Sequence, residues 1–438
     1  MIDHAAMSRL PFEHRVDTWV RDTLARGMSF ETLLRCLPGI YPTAVLASLK
    51  RLRRENEISD EAFRALEKSA TKDQQELIFD RSLPPPHPLN FEWRFTKESA
   101  LKILGAASRS APENGKILLF GTPGVARLAI KQALPQSVTC FGEDNAVADL
   151  IDLENRRAGE PLLTARCGSI LEEGQADSVI IDPPWYDDFI AGMLKSAVFA
   201  CKLGGTLHFA LAPFGTGRHT FEHRAQVFSL AKSLGLSLET VQAGALCYET
   251  PFFEANALVA AGLCAPPIWR TADLVTFRKV ARNIHSVQTE SLNEHRWSER
   301  VLGRMRIFVR TSNKRSGSSN VLTPIVRGEI LPSVSRHDPR RVHADVWTSG
   351  NRIFQSGHPE LLLEAASLGL YASQQITSLR GPGETSADRL IIRLNAALSR
   401  LADREAIEEV RPRAAERSCR RQSTMMDYAN GSQPTQLG

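Results

Sequence analysis

The chain has 438 residues, long enough for roughly two to four folding units. Its 42% hydrophobic and 24% charged content is ordinary globular usage and excludes collagenous or wholly disordered classes. A formal charge of +5, from 54 Lys and Arg against 49 Asp and Glu, permits nucleic-acid binding without requiring it. No apolar run approaches the ~20 residues of a membrane helix, and the opening MIDHAAMSRLPFEHR lacks the apolar core of a secretory signal. No membrane association and a cytoplasmic location are expected. The cysteines (Cys36, Cys140, Cys167, Cys201, Cys247, Cys264 and Cys419) are scattered without a CxxC pair, so neither a disulfide framework nor a thiolate zinc site is indicated.

Residues 1–80 read as a small helical domain. Ser29 is a candidate N-cap for a helix whose apolar set is Phe30, Leu33, Leu34 and Leu37. Pro38-Gly39 stops it, and a second helix opens near Pro42 with Val45, Leu46, Leu49 and Leu52 inward. Helix, tight turn and helix, with Lys50, Arg51, Arg53 and Arg54 at the far end, is similar to a helix-turn-helix or winged-helix module; a helical cap with a solvated basic face fits equally. The Pro-rich residues 81–90 then read as an extended linker.

From 91 to 265 short apolar strands alternate with helices. The candidate strands are 116–120, 137–141, 161–165, 178–181, 206–212, 237–243 and 255–261. This alternation predicts an α/β unit with a mostly parallel sheet covered on both faces, closed by an antiparallel hairpin of the last two strands. Residues 266–402 give a weaker signal: a flexible stretch at 311–320, a basic, partly extended run, and one helix near HPELLLEAASLGLYAS. Residues 403–438 read as a disordered tail. The N- or C-terminal region could carry a protein partner.

The informative residues are VIIDPPW, Val179 to Trp185. A buried strand delivers Asp182, Pro183, Pro184 and Trp185 to its carboxyl end, where open α/β sheets bind ligands. The diproline removes two N–H donors, so carbonyls stand beside the Asp182 carboxylate. Two acceptors suit an amine, each taking one N–H and leaving the nitrogen lone pair for an electrophile. The Trp185 indole offers a stacking face for a planar base.

VIIDPPW resembles the signature of amino-directed, S-adenosylmethionine-dependent methyltransferases, best known among N6-adenine methylases. By that resemblance the fold is a Rossmann-like seven-stranded methyltransferase sheet, and S-adenosylmethionine is the cofactor. Asp182 and the Pro183 carbonyl would hold the amino group, and Trp185 would stack on the extruded base. The implied function is methyl transfer to an amine, with adenine N6 of DNA or RNA favoured. Alternatives are a protein amine or amide acceptor, or a degenerate domain that only binds nucleic acid or a partner.

Upstream, KILLF runs into Gly121-Thr122-Pro123-Gly124 and a helix, a strand-to-helix glycine turn of the kind that approaches nucleotide ligands. The following strand ends at Glu143-Asp144, placed for ribose hydroxyls, and Ser169 follows the third strand, where a hydroxyl could bond an adenine amine. The turn departs from the family's GxGxG, and Ser169 stands where many members carry an acid. Phe91 to Thr96 resembles the segment that reaches the methionine end of the cofactor in related enzymes, although Thr96 is also a good helix N-cap. Aromatics in Tyr248 to Phe253 could clamp a base or pack the sheet edge. His219-Thr220-Phe221-Glu222-His223 spells a zinc-protease pattern, but it opens a helix whose buried side Phe221, Phe228, Ala231 and Leu234 can supply, so no metal is expected.

Overall fold

The computed structural model describes residues 7–25, 27–71, 83–132, 134–142, 145–158, 163–167, 171–282, 297–310, 321–370 and 386–410. The chain forms two compact units. One comprises Met1–Ser69, Glu92–Thr250 and Ile268–Ser291; the other comprises Ala70–Phe91, Pro251–Pro267 and Leu292–Gly438. The boundaries expected at 81–90 and 265 are therefore corrected: residues 251–267 leave the α/β unit, and a later strand joins it. Among the described residues no helix is long and apolar enough to cross a membrane.

The first unit opens with helices α1 (Phe12–Thr23), α2 (Phe30–Cys36), α3 (Pro42–Arg54) and α4 (Asp60–Thr71). The Ser29 hydroxyl accepts the Thr32 N–H and caps α2. Phe30, Leu33, Leu34, Leu37, Val45, Leu49 and Leu52 are buried as expected, with Leu46 half-buried. Among the described residues before Thr71 all regular structure is helical. Part of its basic end is spent within the fold. Arg51 grips Asp17 through two N–H groups at 3.0 and 2.8 Å, and Arg53 donates to Asp60 at 2.6 Å.

The sheet of this unit has strands β1 (Arg94–Phe95), β2 (Lys116–Phe120), β3 (Ser137–Gly142), β4 (Leu163–Cys167), β5 (Ala176–Ile181), β6 (Cys201–Leu211), β7 (Leu236–Glu249) and β8 (Thr271–Lys279). Their order is β1-β7-β8-β6-β5-β2-β3-β4. Strands β2 to β6 run parallel, β8 is antiparallel to β6 and β7, and the two-residue β1 adds an edge to the seven-stranded sheet. Helices α5 (Lys97–Ser110), α6 (Pro123–Gln132), α7 (Asn145–Ala158), α8 (Asp187–Ala200) and α9 (Thr220–Ser233) connect them. Ile117, Leu118, Leu119, Val179, Ile180 and Ile181 are all fully buried, as central parallel strands require. Strand order reverses between β2 and β5, so their carboxyl ends flank the switch point at which such sheets bind ligands.

The expected closing hairpin is wrong in one arm. Residues 255–261 are not a strand; they lie in helix α10 (Phe252–Ala260) of the second unit. A short apolar run does not distinguish the two states, and Pro251 at the cap with Gly262 at φ +84° beyond the end favours the Ala-rich helix. The closing strand is β8, whose TADLVTFRK hides its period behind polar residues. One of them, Asp273, is buried and bridges Arg224 at 2.8 Å.

The second unit contains an antiparallel sheet of β9 (Trp297–Leu302), β10 (Met305–Arg310), β11 (Thr323–Pro324), β12 (Val346–Thr348) and β13 (Ile353–Gln355), in the order β11-β13-β12-β10-β9. Helices α11 (Pro359–Ser367) and α12 (Ser386–Val410) contribute Leu362, Leu394 and Leu398 to a core with Ile307, Val309, Val346 and Phe354. The Pro-rich segment is no free linker. Pro85, Pro86, His87 and Pro88 are buried, the His87 ring lies 4.2 Å from Phe308, and Nε2 contacts the Trp347 carbonyl at 3.2 Å. Burial and the nearby Arg306 guanidinium push the His87 pKa well down. The tail begins later than expected, because residues 403–410 continue α12, where Glu405 is buried and bridges Arg352 at 3.2 Å. The stretch 311–320 and the rest of the tail, 411–438, lie outside the described residues.

One glycine fixes how the two central strand ends meet. Gly121 has φ +69°, and a Cβ built on it lies 2.6 Å from the Asp182 carbonyl oxygen. The Asp182 N–H donates in turn to the Phe120 carbonyl at 3.1 Å. Gly121→Ala is expected to cost at least about 2 kcal/mol from left-handed strain plus the clash, read as a lower urea midpoint with an unchanged slope.

Candidate functional site

Strand β5 ends at Ile181 and releases Asp182, Pro183, Pro184 and Trp185 at the switch point. The Pro184 carbonyl accepts the Tyr186 N–H at 2.7 Å, which closes the turn into α8. The Trp185 indole N–H donates to the Ala210 carbonyl at 3.3 Å, tying the ring to the end of β6. The Tyr248 hydroxyl donates to Asp182 Oδ1 at 2.7 Å.

These contacts set the electrostatics. Burial pushes the Asp182 carboxyl up to about 7; the Tyr248 hydrogen bond and the positive charge of Arg270 oppose that rise without cancelling it. Tyr248, fully buried and facing that carboxylate, is held well above the ordinary tyrosine range, so its hydroxyl remains a donor. The chemistry available is a carboxyl group that exchanges its proton near neutrality beside an indole.

Aromatic rings gather around the Tyr248 that holds this carboxyl. Phe95 stacks on Tyr248 with centroids 4.7 Å apart, and Trp93 and Trp185 meet Tyr248 edge-on at 6.2 and 5.9 Å. The Arg270 guanidinium lies 4.0 Å from the Trp185 ring centroid and 4.4 Å from that of Trp93. Three elements distant in sequence thus converge on the motif: the lead-in to β1, the end of β7 and the residue before β8.

The glycine turn stands beside them. Thr122 occupies the N-cap position of α6, with its carbonyl accepting the Val125 and Ala126 N–H groups, both at 3.1 Å. Its buried hydroxyl has no hydrogen-bond partner, although an N-cap threonine usually spends it on the helix. Nothing lies within 4 Å of a Cβ built on Gly124. An orphaned hydroxyl and open space at a strand-to-helix turn fit a polar cofactor such as S-adenosylmethionine. At Gly121 the Asp182 carbonyl oxygen closely approaches the position that a side chain would take.

The remaining expected residues divide. Thr96 is engaged as the cap of α5, its hydroxyl accepting the Ser99 N–H at 3.3 Å and lying 3.1 Å from the Ser99 hydroxyl. Glu143, Asp144 and Ser169 lie outside the described residues. Of the aromatics in residues 248–253, Tyr248 at the end of β7 reaches Asp182, whereas Phe252 and Phe253 belong to α10 of the second unit. His219 and His223 have ring centroids 6.1 Å apart, and His223 Nε2 faces Asp187 at 3.5 Å. On α9, Val227, Ala231 and Leu234 are buried, while Phe221 and Phe228 are half-buried. Arg270 and the free hydroxyl of Thr122 carried no sequence signal of their own.

No protein-family model matches the chain, and no curated protein matches its sequence. Among solved structures it is similar to the branched-chain polyamine synthase of Thermus thermophilus in complex with N4-aminopropylspermidine and 5'-methylthioadenosine. The identity is 14% and the TM-score 0.46, over 66% of this chain and 97% of that one. The C9 mutein of that synthase gives 13% and 0.49, over 67% and 98%. Geranyl diphosphate C-methyltransferase from Streptomyces coelicolor, in complex with Mg2+, geranyl diphosphate and S-adenosyl-L-homocysteine, gives 10% and 0.30, over 42% and 79%. The likeness is one of fold. The strand order by itself makes the first unit an α/β unit with a mixed sheet whose central strands are parallel.

Two outcomes follow for Asp182. Its native pKa of about 7 lies above the ordinary 3.8, so the folded chain keeps a proton that the unfolded chain releases. Stability therefore falls as pH rises between those values and stays low above them. Asp182→Asn is expected to raise the urea midpoint at about pH 8 and leave it unchanged near pH 4. Tyr248→Phe removes a hydrogen bond that lowers the Asp182 pKa, so the acid limb of any activity depending on ionised Asp182 moves to higher pH in a rate profile.

Proposed function

We propose that the first unit transfers a methyl group from S-adenosylmethionine to an amino group, with adenine N6 of DNA or RNA as the favoured acceptor. The observation that supports this reading best is the pairing of Asp182 and Trp185 at the switch point with the orphaned Thr122 hydroxyl across the same strand ends.

When bound, the cofactor supplies an electrophilic methyl group on a positively charged sulfur. The chain's own residues do the rest. Thr122 donates or accepts one hydrogen bond, and the space at Gly124 admits the ligand close to the backbone. Asp182 in its ionised form accepts one amino N–H and the Pro183 carbonyl a second, which aims the nitrogen lone pair and lowers the entropic part of the barrier. Trp185, fixed by Ala210, carries the Arg270 guanidinium on one ring face, and a planar base stacks against that guanidinium. The nitrogen sheds a proton after substitution, and a carboxyl that titrates near neutrality is a competent first acceptor.

An adenine inside a duplex must be extruded to reach this corner, at a cost of a few kcal/mol. The exposed Lys50 and Arg54 remain for backbone contact on α3, whereas Arg51 and Arg53 are paired with acids. A shallow salt dependence of nucleic-acid binding is expected, because few phosphates are neutralised. A protein amine or amide is the second acceptor class that the same pair of acceptors serves.

The test joins calorimetry with label transfer. Asp182→Ala should abolish transfer of a tritiated methyl group while S-adenosylmethionine binds within about twofold of the parent, since the lost group orients only the acceptor. Thr122→Val should weaken cofactor binding about three- to tenfold, the size of one hydrogen bond, without lowering the melting temperature. Label in the nucleic-acid fraction supports the favoured acceptor, and label in protein the second. No heat with S-adenosylmethionine at millimolar concentration would overturn the enzymatic reading.

A further inference from the structure

Arg270 stands where an acceptor would be recognised. Its guanidinium covers the Trp185 ring at 4.0 Å and the Trp93 ring at 4.4 Å, with Tyr248 at 5.9 Å. Its backbone is anchored beside the motif, because the Arg270 carbonyl accepts the Tyr248 N–H at 3.0 Å. An arginine is protonated at every accessible pH, so these aromatic faces hold a permanent, tethered cation.

This matters for what the slot can bind. Alkylammonium groups are captured by aromatic rings through the negative potential of the ring faces. Here a side chain of the protein already occupies those faces at 4.0 and 4.4 Å. An incoming ammonium must displace a cation whose attachment gives it a high effective concentration. A neutral planar ring meets no such competition. It can stack on the plane of the guanidinium, as unpaired bases do on arginine, while its amino group turns toward Asp182.

We propose that Arg270 sets acceptor selectivity: it admits a neutral planar amine of the nucleobase type and rejects aliphatic ammonium ions. The inference rests on the reading of Asp182 and Trp185 as the acceptor site, and narrows it to a substrate class. It separates an aromatic amine from a lysine side chain or a polyamine, all of which offer nitrogen to the same carboxylate.

The experiment is a binding comparison on the full chain that needs no turnover. Quenching of tryptophan fluorescence is followed with adenosine and with spermidine, for the parent, Arg270→Gln and Arg270→Lys, each first shown to melt at the parent temperature. The parent should bind adenosine at least about tenfold more tightly than spermidine, the scale of one desolvated cation–π contact. Arg270→Gln removes the charge and should shrink that ratio at least about fivefold. Arg270→Lys keeps the charge but loses the plane; it should weaken adenosine while spermidine stays excluded. A parent that prefers spermidine, a ratio unmoved by Arg270→Gln, or no quenching by either ligand would each overturn the proposal. Failure of the underlying reading shows elsewhere, as absent methyl transfer by the parent with both probes present.

Discussion

The first unit depends on how closely the carboxyl ends of β2 and β5 approach. Gly121 has no side chain, and the Asp182 carbonyl sits where its Cβ would be, only 2.6 Å away. The Phe120 carbonyl and the Asp182 N–H close the other half of the contact at 3.1 Å. Through this approach, the turn that leads into α6 and the diproline that leads into α8 share one corner of the sheet. A residue with a side chain at 121 would move the turn, and with it the Thr122 hydroxyl, away from the acid. The glycine serves the geometry of the strand ends, whereas the space beside Gly124 is open.

Within that corner, order is imposed by contacts that reach across the sheet rather than along it. Trp185 is held by the end of β6, Asp182 by the end of β7, and both lie near Arg270 before β8. Phe95 stacks on Tyr248 from the short edge strand. A carboxyl kept out of water is a cost the rest of the fold offsets, and sites tuned for proton exchange are commonly found at such places. The aromatic rings shield the half-buried Asp182, and the Ala210 carbonyl fixes the plane of the Trp185 indole.

Much of this was legible in the sequence, and the failures share a physical cause. Strands β2, β3, β5 and β6 were readable because central parallel strands are apolar on both faces, and the motif was readable because it follows one of them. Strand β8 was hidden by Asp273, which looks like a surface residue until Arg224 pairs with it. Strand β10 was hidden in the same way by Arg306 and Arg310, both buried, the former against Glu299 at 2.6 Å. Buried charges imitate loops when their partners are far along the chain. The prolines of residues 84–88 misled in the opposite direction, since an extended segment packed under Trp347 and Phe308 has the composition of a linker. Residues 255–261 failed for want of period, and only the flanking Pro251 and Gly262 could have decided them. At the site, Asp182 and Trp185 were visible as a local motif, whereas Tyr248 and Arg270 reach it only through strand pairing.

Those two residues also resolve a difficulty in the motif. A carboxylate that is to accept an amino N–H must be ionised, because the protonated acid would offer a donor to a donor. Burial works against this and by itself carries Asp182 upward. The Tyr248 hydroxyl and the Arg270 charge both act downward, and together they hold the group at about 7 instead of higher. The carboxyl is therefore ionised to a substantial extent at neutral pH, yet remains basic enough to take a proton. Neither effect is present in the tetrapeptide itself. The diproline supplies rigidity and a carbonyl, whereas the protonation state of Asp182 is set by burial, opposed by a tyrosine 66 positions further along the chain and by an arginine beyond it.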